Sequence, residues 1–138
     1  MSQKIFFTSL STPAEKVRFL LKIAGDHFNR YQKIIIFTSD TKTAEFVDNL
    51  LWSEPKDGFI PHFISHTLID ECIVITNERN NLNQAKVALN LTSEPLDLIN
   101  LKLSTVLEIE DRATPEKTAI FKKKLNTYQK ANIPIIAI

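Results

Sequence analysis

Apolar and polar positions change period several times along the chain, and each change marks an element. Residues 4–8 (KIFFT) form a short apolar run that predicts a buried strand. Thr12, Pro13 and Glu15 follow with an N-cap, a first-turn proline and the acidic partner of a capping box. Val17, Leu20, Leu21, Ala24, Phe28 and Tyr31 then recur with the 3.6-residue period of a helix packed on one face. Residues 33–37 (KIIIF) read as a central strand covered on both sides, and Thr38-Ser39-Asp40 ends in an N-cap. Ala44, Val47, Leu50 and Leu51 mark a second helix. This β-α-β-α start predicts a parallel sheet with right-handed crossovers.

Beyond Trp52 the periodicity gives way to a loop over residues 53–62 (SEPKDGFIPH), punctuated by two prolines and a glycine. Strands are expected at residues 72–76, 86–92 and 104–110, with a helical turn at 93–98. Thr114-Pro115-Glu116 opens a last helix reaching about Lys130, with Phe121, Leu125 and Tyr128 on its buried stripe. Residues 133–138 (IPIIAI) supply a final strand. No internal repeat, low-complexity tract or linker interrupts the pattern, so residues 1–138 read as one domain.

Composition narrows the function. Of the 138 residues, 43 % are apolar and 24 % charged, and the net charge of +1 provides no global field toward nucleic acid or an anionic membrane. No apolar run is long enough to span a bilayer, the start does not resemble a secretory signal, and the single cysteine, Cys72, favours a reducing compartment. A cytoplasmic location is expected. Gly25 and Gly58 are the only glycines. A Walker A loop or a GxGxxG turn needs two or three glycines close together, because the backbone must approach phosphates and reach positive φ. Neither can be built here, and no cofactor is expected.

Candidate chemistry is sparse. His62 and His66 lie four apart with Asp70, Glu71 and Cys72 close behind, but Pro61 argues against the helix that a zinc-binding pair would need. Cys72 heads an apolar strand, where cysteine acts as a small hydrophobe. Glu108 and Glu110 share one strand face and are expected at a solvated strand end. No residue is assigned a catalytic or metal-binding role.

Two stretches suggest contacts instead. Residues 112–130 hold six basic residues against Glu116, whereas residues 40–57 hold five acids against two lysines. Lys117, Lys122 and Lys124 edge the apolar stripe of the last helix, an arrangement suited to an acidic, aromatic-bearing peptide or to single-stranded nucleic acid. The 53–62 loop, with Trp52 before it, gathers the only tryptophan, Phe59, two prolines and His62. Aromatics in a rigid loop are either interface anchors or plugs for the sheet's own edge.

Leu51-Trp52, a gap containing Pro55, and Phe59-Ile60-Pro61-His62 resemble the signature of the chi subunit of bacterial DNA polymerase III. The order of elements resembles that family over essentially the whole chain. The resemblance implies a single-domain Rossmann-like α/β sandwich of three layers, with a mostly parallel sheet, helices on both faces and no nucleotide-binding loop. It further implies a non-catalytic accessory of the clamp-loader complex that links it to single-stranded-DNA-binding protein and meets DNA mainly indirectly. Trp52, Phe59, Pro61 and His62 are then expected toward a psi-like subunit. Lys117, Phe121, Lys122, Lys124 and Tyr128 are expected toward the acidic C-terminal tail of single-stranded-DNA-binding protein. Leu125 and Asn126 depart from the family pattern, which has tyrosine and lysine there. A helicase-like or nuclease-like nucleic-acid-processing domain and a direct single-stranded-DNA binder are the alternatives.

Overall fold

Ile34–Phe37 forms strand β2 in the interior of the sheet, and all four of its residues are buried. β-Branched and aromatic side chains suit a strand covered on both faces. The computed structural model describes residues 2–54 and 58–138. Pro55, Lys56 and Asp57, within the expected 53–62 loop, lie outside the described residues.

The other elements are β1 (Lys4–Leu10), α1 (Pro13–Asn29), α2 (Thr41–Ser53), β3 (Phe63–Ile64), β4 (Ile73–Thr76), β5 (Val87–Asn90), β6 (Thr105–Asp111), α3 (Pro115–Lys130) and β7 (Ile135–Ala137). Among the described residues the seven strands make one sheet in the order β3-β4-β2-β5-β6-β1-β7. Every pairing is parallel, so the expected mostly parallel sheet is wholly so.

Alternation along the strands divides the core between two faces. Ile34, Ile36, Ile73, Ile75, Leu89 and Leu107 pack against Leu20 and Ala24 of α1 and Val47, Leu50 and Leu51 of α2. Ile5, Ile35, Phe37, Val74, Ala88 and Val106 face the other way and pack with Tyr128 of α3. The result is the expected three-layer sandwich.

The caps behave as their residue types demand. The Thr12 hydroxyl accepts from the Glu15 N–H, and the Glu15 side chain accepts from the Thr12 N–H, a complete capping box. These bonds to Ser11 and Thr12 hold the Glu15 carboxyl below its ordinary range. Asp40 accepts from the Thr43 N–H at 2.8 Å and Thr114 from the Lys117 N–H at 3.2 Å.

Three local expectations change. The helical turn expected at 93–98 lies further on, where Leu101 and Lys102 donate to the carbonyls of Asp97 and Ile99. Asp97 draws the turn there because its side chain also accepts from the Asn100 N–H. Strand β3, two residues long, follows the proline loop and escapes any periodicity. Tyr31 does not join the buried stripe of α1: it stands past the helix end at φ +55° and 89 % exposed.

Candidate partner-binding surfaces

The first surface begins with α2. Its core stripe of Ala44, Val47, Leu50 and Leu51 turns the next residue, Trp52, away from the sheet, leaving it 59 % exposed. Gly58 then takes φ +121°, a backbone that side chains rarely adopt. Ile60 buries itself in the core and pins the returning loop. Between these points Phe59, 52 % exposed, stacks on Trp52 with ring centroids 4.6 Å apart. The pair does not plug the sheet; it lies on the surface as one apolar plate.

His62 is the exception within this group, because it is buried. Its Nδ1 donates to the Ile60 carbonyl at 2.6 Å, which closes the loop on itself. Nε2 faces Asp48 Oδ1 at 3.0 Å without hydrogen-bond alignment, and the ring meets Trp52 edge-on at 5.3 Å. His62 thus supports the aromatic pair from beneath, and the expectation that it touches a partner is corrected by its burial. Pro61 is half-buried beside it. His66 turns instead to Glu78, 3.3 Å away, so the two histidines share no ligand position. Asp48 is partly exposed, and Glu45 and Glu54 are exposed, leaving this flank acidic.

The second surface is α3. Phe121 and Tyr128 are core residues, Phe121 packing on Phe7 with centroids 5.3 Å apart. Lys124, between them, is buried too. Its ammonium donates to Glu108 at 2.7 Å and to the Thr92 carbonyl at 2.9 Å. Asn90 and the Tyr128 hydroxyl donate to the second Glu108 oxygen at 2.8 and 2.6 Å, and the Leu96 N–H donates to that hydroxyl. Burial pushes the Glu108 carboxyl above its ordinary range, against the pull of Lys124, Tyr128 and Asn90. Burial and the neighbouring carboxylate hold the Tyr128 phenol up and protonated.

Two expectations are thereby corrected. Glu108 is not at a solvated strand end, and its oxygens are occupied by three donors rather than free for a metal ion. Phe121, Lys124 and Tyr128 are buried rather than standing on an exposed stripe, and of the three Phe121 and Lys124 reach only the lining of a crevice shared with Thr92 and Lys117. Lys124 replaces Leu125 on the buried stripe because residues 121, 124 and 128 share the helix face above Glu108; Leu125 is half-buried. Sequence reasoning missed this network, although the three-and-four spacing around Lys124 was its one visible signal.

The outward side of α3 keeps Lys117, Lys122, Lys123 and Lys130, all exposed. At its N-terminal end Arg112, Pro115, Thr118, Ala119 and Lys122 frame an open hollow of about 420 Å³. Arg112 is held by Glu110 at 2.8 Å, and the Ser9 hydroxyl is the strongest influence keeping the Glu110 carboxyl low. A separate crevice at the carboxyl ends of the strands has Lys16 and Lys117 in its wall. Both already lean on Asp111, at 2.5 and 3.6 Å. Burial opposes ionisation of Asp111, but these ammonium groups and the Ala113 N–H hold its carboxyl low. Cys72 is half-buried and its thiol is pushed up by that burial, so it behaves as a small apolar residue.

Fold and surfaces together define a parallel α/β protein whose most distinctive exposed groups are a stacked aromatic pair in an acidic setting and a lysine-rich helix on the other face. A family model described as DNA polymerase III chi subunit, HolC, matches residues 1–135, and the chain belongs to that family. It is a non-catalytic accessory subunit of the polymerase and gives the chain an accessory role in DNA replication. A search of the curated proteins finds no match. Among the described residues no helix is long and apolar enough to cross a membrane.

Proposed function

We propose that this protein is a cytoplasmic adaptor that joins the clamp-loader complex of the polymerase to single-stranded-DNA-binding protein. The Trp52–Phe59 plate takes the psi-like subunit, and the outer side of α3 takes the acidic C-terminal tail. The observation that carries this reading is the exposure of the stacked pair, 59 % and 52 %, in a member of the chi family. Large apolar rings left in water at a fixed geometry are what interface anchors require.

For the tail, the burial of Lys124 moves the contact outward from the apolar stripe. Arg112 and Lys122 flank the hollow at the start of α3 and would meet carboxylates, while Pro115, Thr118 and Ala119 leave room for an apolar terminal residue. Exposed ion pairs contribute only about 0.2–1 kcal/mol each, so the residue seated in the hollow supplies much of the affinity.

Calorimetric titrations test both halves. Trp52→Ala should abolish or strongly weaken binding of the psi-like subunit and leave tail-peptide binding intact. Lys122→Glu should weaken the tail peptide at low salt and spare the psi-like subunit, whereas Lys123→Glu should matter less. Equal loss with a scrambled acidic peptide would reduce α3 to a nonspecific anion patch.

A further inference from the structure

The sheet ends beside the aromatic plate. Strand β3 is hydrogen-bonded to β4 and, among the described residues, to no other strand. In a parallel ladder successive residues turn their N–H and C=O groups to opposite sides. Ser65 donates to the Ile75 carbonyl at 3.0 Å, and Phe63 and Ile64 are in register with Val74 and Ile75. That phase turns Phe63 and Ser65 toward β4 and leaves the N–H and C=O of Ile64 on the open edge. Native proteins usually blunt such an edge with lysine, a bulge or a covering loop. Here the edge residues are two apolar side chains, Phe63 and Ile64, 40 % and 37 % exposed.

Register also fixes the faces. Ile64 shares the face of Ile75, which packs with α2, the helix that carries Trp52. The open main-chain groups and the aromatic plate therefore belong to one flank of the molecule. That flank is acidic: Glu45 and Asp48 lie three apart on α2, Trp52 follows four residues after Asp48, and Glu54 caps the helix end.

We propose that β3 receives a strand from the partner protein. The occupant is an extended apolar segment bearing lysine or arginine, which adds beside Ile64 as an eighth strand. Its main chain bonds to the Ile64 N–H and C=O, an apolar side chain rests on Trp52 and Phe59, and its cations meet Glu45, Asp48 and Glu54. Main-chain bonds supply affinity in this mode and alternate side chains supply specificity. The inference rests on the reading that the aromatic plate holds the psi-like subunit, and it specifies how.

Amide hydrogen exchange read by NMR, on the chain alone and with purified psi-like subunit, tests it. Exchange at Ile64 should be fast in the free chain and slow by about tenfold or more in the complex. Glu45→Lys with Glu54→Lys should weaken the complex several-fold at low salt, and unchanged affinity would overturn the basic character of the partner. A complex that Trp52→Ala destroys, but in which Ile64 exchange is unaltered, would overturn strand addition while the aromatic anchor stands. Binding indifferent to Trp52→Ala with Ile64 unprotected would overturn both. Protection of Ile64 in the free chain, with sedimentation as a dimer, would give the edge to a second copy of this protein instead.

Discussion

Lys124 and Glu108 meet 2.7 Å apart in the interior, and each depends on the other to be there. A buried pair is weak support for stability in itself, but removing one member leaves an unpaired charge and costs about 3–5 kcal/mol. Lys124→Met should lower stability by that order in chemical denaturation, and Lys124→Met combined with Glu108→Gln should recover most of it. The pH dependence follows from burial, which raises the Glu108 carboxyl above its ordinary value of 4.5. A carboxyl raised in the folded state keeps its proton longer than in the unfolded chain. Its favourable contribution is complete below that ordinary value and is lost as pH rises through the folded one. Without Lys124 the opposing pull weakens, so the deficit of Lys124→Met should be larger at pH 7 than at pH 4. A deficit independent of pH would mean that lost packing, not charge, is responsible. Tyr31 is the opposite case, an exposed residue at φ +55° with no buried role. Tyr31→Gly should stabilise the protein by about 0.5–1 kcal/mol, seen as a Tm raised by a few degrees.

At the scale of elements, the helices begin where their caps dictate. Thr12 and Glu15 satisfy each other's backbone donors at the head of α1, and Thr12→Ala should cost about 1 kcal/mol in denaturant unfolding. Strands β2 and β4 were legible from their apolar runs because each is covered on both faces, which leaves no polar alternation to blur the signal, whereas β5 was read from the alternation over residues 86–92. Strand β3 was not legible. Two residues carry no period, and they become a strand only because β4 offers its unpaired side to the returning chain. The expected turn at 93–98 failed for a related reason: Pro95 and Glu94 look like a helix start, yet Asp97 is the residue whose side chain caps the turn that forms.

For the whole molecule, the layered sheet separates its two candidate surfaces. The aromatic plate extends from α2, which packs on one face, and the lysine-rich side belongs to α3, which packs on the other. An adaptor built this way can hold two partners at once, and their binding should be additive. With the tail peptide saturating, the affinity for the psi-like subunit should change by less than about 0.5 kcal/mol, as for independent distant sites. Trp52→Ala should weaken that subunit by about 2 kcal/mol or more while leaving the thermal unfolding midpoint nearly unchanged, since an exposed ring contributes little to the core. A large fall in the midpoint would return Trp52 to the role of a plug.

The amino-acid sequence by itself determined the order of the longer elements, the parallel sheet and the lack of a glycine-built phosphate loop. Those features follow from local period, caps and residue type, which need no knowledge of distant neighbours. It also marked Trp52 and Phe59 as unusual. Only the tertiary structure decided which of the singled-out residues face solvent. Lys124 is drawn inward by Glu108, sixteen positions away on the strand beneath, and His62 is closed under Trp52 by the Ile60 carbonyl and Asp48. A lysine's spacing along a helix says which face it occupies, but a carboxylate waiting under that face is what makes burying its charge tolerable.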